Sequence, residues 1–93
     1  MKYRKKPVVI EAVQWNGKNH EDIRRFYEDE KTERWLASDH VDGRPVCFYI
    51  KTREGKMNLR PWDYLIKGIQ NEFYPCKPDI FEATYEKVEE STP

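Results

Sequence analysis

The second half of the chain consists of short runs of β-forming residues separated by tight-turn residues, and this spacing constrains the fold more than any other feature. In the run at 46–52, three apolar side chains alternate with Cys47, Tyr49 and Lys51, which predicts a strand with one apolar face. The loop at 53–55 ends in Gly55, where a hairpin needs positive φ. Further strands are predicted at 56–60, 64–67 and 72–76, with turns at 61–63 and 68–71. The segment is typical of an antiparallel meander.

The first half carries one helical pattern, between residues 20 and 29. Ile23, Phe26 and Tyr27 recur at i, i+3 and i+4, which places them on one face of an amphipathic helix. Asn19 precedes the pattern and is predicted to cap the helix, with an acidic residue three positions later completing a capping box. The charged run that follows is predicted to end the helix in a surface loop.

The remaining segments complete an α+β prediction. Additional strands are predicted at 8–15, 35–38 and 84–88. Asp, Gly and Pro mark 39–45 as a loop, and Pro78 suits the start of a single helical turn. We therefore expect one domain over residues 1–88, with one helix packed on a bent, mainly antiparallel sheet and a flexible tail at 89–93. Alternation alone does not distinguish an open sheet from a small, partly open barrel.

Charge and cysteine usage exclude several classes of protein. Seventeen basic residues balance seventeen acidic ones, which makes nucleic acid or an anionic membrane an unlikely main partner. No run approaches the ~20 apolar residues of a membrane helix, so we expect a cytoplasmic protein. Cys47 and Cys76 lack the spacing of a zinc site or a catalytic dyad, and the four glycines are isolated. No metal, cofactor or catalytic residue is predicted.

The candidate binding residues lie in and near the segment 72–79, which combines aromatic faces, two prolines and two charges. Tyr74, Lys77 and Asp79 are its candidates, yet the prolines could equally serve to end a strand and start a helical turn. Lys67 is the fourth candidate. With Lys51, Arg53 and Lys77 it falls at or near a strand end, close to Tyr49, Tyr64 and Tyr74, and these cations form either a basic rim or protected sheet edges. Trp62 at a turn tip is the fifth candidate, packed over the sheet end or open to a partner.

Three stretches together resemble a widespread family of small bacteriophage and prophage proteins with no settled activity: residues 1–15 (MKYRKKPVVIEAVQW), 61–68 (PWDYLIKG) and 72–85 (EFYPCKPDIFEATY). They cover about two fifths of the chain. The resemblance implies a phage or prophage setting and carries over no catalytic residue. Such proteins typically have Pro-Gly-Asp where this chain has Pro61-Trp62-Asp63, and the bulky Trp62 predicts a type I turn.

The leading functional hypothesis is a non-enzymatic binding module acting in the host cytoplasm. Its partner would be a host or phage protein, or a small anionic ligand such as a nucleotide. A nucleic-acid-binding accessory protein and a small enzyme are the alternatives. The many aromatic residues of so short a chain also predict a twofold dimer, paired through the edges at 8–15 or 84–88.

Overall fold

The computed structural model describes residues 1–4 and 8–88, and the predicted tail at 89–93 lies outside them. The elements in chain order are β1 (Glu11–Gln14), α1 (His20–Tyr27), β2 (Ala37–Val41), β3 (Arg44–Thr52), β4 (Gly55–Leu59), β5 (Tyr64–Lys67), a short 3₁₀ turn (Ile69–Asn71), β6 (Phe73–Cys76) and α2 (Pro78–Thr84). The α+β prediction is confirmed. Neither described helix is long and apolar enough to cross a membrane.

The strands form two antiparallel sheets of three strands each, where the sequence predicted one bent sheet. One sheet has the order β1-β5-β6 and the other the order β2-β3-β4. The described strands close no barrel. Strand β6 approaches β3 and β4, so that one edge of the first sheet lies against the second. One concave surface of the molecule forms at this junction.

Both sheets and α1 contribute to one hydrophobic core. Its buried members are Trp15, Ile23, Tyr27, Phe48, Ile50, Leu59, Leu65 and Phe73. The aromatic rings meet edge to face, with centroids 4.7 Å apart for Trp15 and Phe48 and 5.2 Å apart for Tyr27 and Phe73. Edge-to-face pairs stabilise beyond the area that they bury. A few large aromatic rings thus supply much of the buried apolar surface of the core, because aliphatic residues are few.

Helix α1 presents the predicted face to this core but begins differently from the prediction. Ile23 and Tyr27 are buried and Phe26 packs against the core, which confirms the helical periodicity. The Asn19 side chain makes no capping hydrogen bond. Its amide donates to the Gln14 carbonyl (2.7 Å) and accepts from the Asn16 N–H (2.9 Å). The predicted capping box is wrong because this side chain stabilises the preceding turn instead.

The loop predicted at 39–45 is mostly strand. Strand β2 extends to Val41, and only Asp42 and Gly43 connect it to β3. Both have positive φ, at 51° and 77°, which is the pattern of a type I′ hairpin turn. Asp-Gly is a strong signal for that turn. The prediction of a longer loop followed from the number of Asp, Gly and Pro residues over 39–45. The predicted short strand at 35–38 accordingly begins later and is longer.

The C-terminal strand predicted at 84–88 is wrong, because α2 spans Pro78–Thr84 and no strand follows it within the described residues. Phe81 and Tyr85 are four residues apart and lie on one side of the helix, where Phe81 stacks on Tyr64 with centroids 3.8 Å apart. Packing of this aromatic pair overrides the β propensity of the segment. One of the two predicted dimer edges is therefore missing. The dimer itself stays a prediction, with β1 as its remaining edge strand.

The turn at Pro61-Trp62-Asp63 has the type II pattern, so the type I prediction is wrong. The Asp63 N–H donates to the Arg60 carbonyl (3.0 Å), which makes Trp62 the third residue of the turn, and its φ is 76°. Trp15 holds this geometry from the neighbouring strand, since its carbonyl accepts from the Trp62 N–H and its own N–H donates to the Asp63 carbonyl. Backbone pairing therefore outweighs the usual preference of a bulky residue for negative φ.

Candidate functional site

The structure places four of the five predicted site residues at opposite ends of one strand pair. Lys67 ends β5 and is paired with Phe73 at one end of the β5–β6 ladder, while Trp62 precedes its other end. Lys77 and Asp79 are exposed at the start of α2, also at the end near Trp62. A four-residue strand spans about 10 Å, which separates Lys67 from these three residues. The fifth residue, Tyr74, lines both of the concave surfaces described below.

A concave surface lined by three cations lies where β6 meets the β3–β4 hairpin, and we call it the basic cleft. Its volume is about 650 Å³. It is lined by the hairpin residues 51–54 and Met57, by residues 71–75, and by Arg34 from the segment before β2. Of the predicted basic rim, the fold thus brings together Lys51, Arg53 and Tyr74.

Arg34 is fixed at the inner side of the basic cleft. Its Nε–H donates to the Tyr27 carbonyl (2.5 Å), and its guanidinium lies 4.4 Å from the centroid of the Phe73 ring. It also forms an ion pair with Asp29 at 3.9 Å. Cation–π contacts with a buried ring add to the interactions that hold the guanidinium in place. The charge of Arg34 is therefore rigidly positioned.

Lys51 contributes a second cation at the hairpin. Its backbone N–H donates to the Tyr27 hydroxyl (3.1 Å), which anchors the strand end to the core. Its cross-strand neighbour is Lys56, whose Nζ lies 4.9 Å from the centroid of the Tyr49 ring. Within the described residues Lys51 forms no ion pair. Lys51 is exposed and lines the cleft at its hairpin edge.

Arg53 contributes the third cation, and it forms an ion pair with Glu72. The Arg53 side chain is 73% exposed and that of Glu72 is 36% exposed. Glu54 is the other carboxylate that lines the cleft. The basic cleft therefore carries three cations against two carboxylates, with an apolar lining from Met57 and Phe73.

Tyr74 lines both the basic cleft and a second concavity, which we call the second cleft. The second cleft has a volume of about 660 Å³. Its lining includes Val8, Ile10, Ile69, Thr84 and Tyr85, and it shares Arg53, Glu72 and Tyr74 with the basic cleft. Burial, with a hydrogen bond to Tyr85, raises the pKa of Tyr74 to about 12. Its phenol is therefore a neutral hydrogen-bonding group at physiological pH.

The two cysteines lie outside both clefts. Burial raises the pKa of both Cys47 and Cys76, and nearby carboxylates add to the shift. A raised pKa favours the thiol over the nucleophilic thiolate. Both cysteines are free, and no group of metal-ligating side chains occurs within the described residues.

Sequence reasoning missed Arg34 and Glu72 as parts of the site. Arg34 belongs to a charged run that the sequence assigned to a surface loop, yet its isolated bridge with Asp29 folds it back towards α1. Glu72 is one of seventeen acidic residues and has no distinguishing neighbour in the sequence. The signals that identify them are Phe73 and Arg53, which the fold brings beside them.

Comparison with known proteins adds no relative to this description. The chain matches no protein-family model, no curated protein and no solved structure.

Proposed function

We propose that this protein is a non-enzymatic binding module that holds a small anionic ligand in the basic cleft, within a phage or prophage setting. The observation that carries the proposal is the convergence of Arg34, Lys51 and Arg53 around an apolar lining. Arg34 is pinned to Phe73 while Lys51 forms no ion pair among the described residues. Fixed charge beside exposed apolar surface is the chemistry that recognises an aromatic anion.

The dimensions of the cleft favour a small molecule over a polymer. Clefts of about 300–1,000 Å³ enclose ligands of drug or nucleotide size. A nucleic-acid surface would instead extend the cations into a stripe along several phosphates. Here the three cations surround a single concavity, and the net charge of the chain is zero. A nucleoside monophosphate therefore represents the proposed ligand class.

The proposal is tested by titrating ¹⁵N-labelled protein with adenosine monophosphate and following its amide resonances. We expect saturable shifts confined to residues that line the basic cleft, with adenosine alone binding more weakly because it lacks the anion. Affinity should fall between ~50 and ~300 mM salt, since ionic contacts at an exposed cleft are screened. No saturable shift up to ~10 mM ligand would refute the proposal for this ligand class.

Lys51→Gln and Lys56→Gln form a matched pair of variants for this titration. The two lysines are cross-strand neighbours, but only Lys51 lines the basic cleft. We expect Lys51→Gln to weaken binding by about fivefold, the effect of losing one exposed ionic contact, and Lys56→Gln to leave it nearly unchanged. Equal weakening in both variants would indicate a general surface-charge effect and contradict a site in the cleft.

A further inference from the structure

The Arg53–Glu72 ion pair occupies the boundary between the two clefts. Arg53 lies in the turn between β3 and β4, and Glu72 immediately precedes β6. Both residues line the basic cleft and the second cleft. In the free protein, the most exposed arginine of the proposed site is therefore engaged by a carboxylate of the protein itself.

The backbone around Glu72 is held independently of this ion pair. The Gly68 N–H donates to the Glu72 carbonyl (2.7 Å), and the Glu72 N–H reaches the Ile69 carbonyl at 3.4 Å. Between them, Gln70 and Asn71 both have positive φ, at 60° and 58°. Because these contacts fix the connection, loss of the ion pair would release side chains and leave the backbone in place.

The exposure of the two partners makes their ion pair easy to exchange. Exposed ion pairs change an equilibrium by about fivefold at most, because water and salt compete for both charges. A ligand that adds contacts with Lys51, Arg34 or the apolar lining can therefore displace Glu72 from Arg53. The group that displaces it must resemble a carboxylate in its charge and in its paired oxygen acceptors.

We infer that Glu72 is an internal competitor, occupying at Arg53 the place that the oxyanion of the ligand takes. This inference rests on the proposed function and adds two statements to it. The ligand group that meets Arg53 is an oxyanion, either a phosphate or a carboxylate. Binding exchanges one ion pair of Arg53 for another, so that Glu72 lowers the affinity of the free protein.

The test compares Glu72→Gln with Glu54→Gln in titrations with adenosine monophosphate and, separately, with 1-naphthoate, the first a phosphate and the second a carboxylate. Each variant removes one negative charge from the same cleft, but only Glu72 is paired with Arg53. We expect Glu72→Gln to bind an oxyanion up to about fivefold more tightly and Glu54→Gln to show a smaller gain. The ligand whose affinity rises more in Glu72→Gln identifies the anion, phosphate or carboxylate, that Arg53 prefers.

Arg53→Gln supplies the second comparison, because it removes the residue for which Glu72 and the ligand compete. In an Arg53→Gln background, adding Glu72→Gln should change affinity no more than Glu54→Gln does. The Nε–H resonance of Arg53 in the wild-type protein should also shift on ligand addition. That readout needs no substitution and does not depend on the folding of any variant.

The possible outcomes separate this inference from the proposed function. Binding by the wild type with equal or weaker binding by Glu72→Gln overturns the competitor role and leaves the proposed function standing. Equal gains in Glu72→Gln and Glu54→Gln also overturn it, since they would report charge alone. Absence of binding by the wild type and both variants would refute the inference and the proposed function together.

Discussion

The strongest stability prediction concerns Trp62, a large residue held at positive φ. Its φ of 76° lies in the left-handed region, where the Cβ atom of an L-residue approaches the neighbouring carbonyl. We compare Trp62→Gly with Trp62→Ala. Both variants lose the same indole contacts, so the difference between them reports the backbone alone.

The expected difference follows from two opposing free energies. Glycine removes the left-handed cost of about 1–2 kcal/mol. It also loses about 0.4–1 kcal/mol more backbone entropy on folding than alanine does. The balance makes Trp62→Gly more stable than Trp62→Ala by about 0.8 kcal/mol, between limits of about 0 and 1.6 kcal/mol. This sign is the opposite of that at an ordinary position.

Arg25 provides the matched control, because it is exposed in α1 at ordinary helical geometry. There Arg25→Gly should be less stable than Arg25→Ala by about 0.8–1 kcal/mol. Urea unfolding followed by far-ultraviolet circular dichroism measures all four variants, and comparable m-values would validate the comparison. If Trp62→Gly is less stable than Trp62→Ala, the type II geometry is wrong and the type I expectation is restored.

Four further predictions follow from the clefts and the sheet edge. Gly68→Ala places a Cβ 3.3 Å from the Tyr74 Cε1 atom, and a crowding cost of about 1–3 kcal/mol opposes the roughly 0.4–1 kcal/mol that alanine gains over glycine in the unfolded chain, so we expect the free energy of unfolding to fall by about 1 kcal/mol; a raised urea midpoint would contradict this crowding. The stability that comes from a protonated Tyr74 should be fully present below about pH 10 and lost towards about pH 12. Tyr85→Phe should lower the pKa of Tyr74 in an ultraviolet titration, and an unshifted curve would contradict the hydrogen bond between the two phenols. Replacing Cys47 and Cys76 together by Ala should cost a few kcal/mol at most, whereas a disulfide or stoichiometric zinc detected by mass spectrometry would show that they are not free thiols. Pairing through the β1 edge predicts a dimer mass in light scattering, and the mass of one chain up to ~100 μM would exclude it as the working form.

The sequence predicts those elements whose stability is local or strongly periodic. The spacing of Ile23, Phe26 and Tyr27 identifies α1 because 3.6-residue periodicity places all three against the core. The alternation at 46–52 identifies β3 for the corresponding reason in a strand. Gly55 also has the positive φ expected of it, at 118°. In each case the local signal and the tertiary contact agree.

The wrong predictions occur where a tertiary contact opposes the local preference. Trp62 prefers negative φ, but two hydrogen bonds between the turn and Trp15 hold the left-handed form. The segment after Thr84 has β propensity, yet Phe81 of α2 stacks on Tyr64 of the first sheet, and Tyr85 packs against Phe81. The contacting residues are Trp15 for the turn and Tyr64 for α2. Both are distant in sequence from the segment that they hold, so the segment's own residues do not identify them.

The candidate site depends on hairpin register. A three-residue loop at 53–55, as the sequence predicts, would place Thr52 opposite Lys56. Instead Gly55 pairs with Thr52, and Lys51 and Lys56 become direct cross-strand neighbours. Like charges in this relation destabilise a sheet.

The two lysines meet this repulsion in different ways. Lys56 lies over the Tyr49 ring, whose negative face stabilises a cation. Lys51 lines the basic cleft beside Arg53, where further positive charge increases the repulsion. An anion bound in the cleft would offset it, so ligand binding and hairpin stability are coupled. A ligand that binds the proposed site should therefore slow amide hydrogen exchange in the β3–β4 hairpin, and Lys51→Gln should reduce that protection more than Lys56→Gln does.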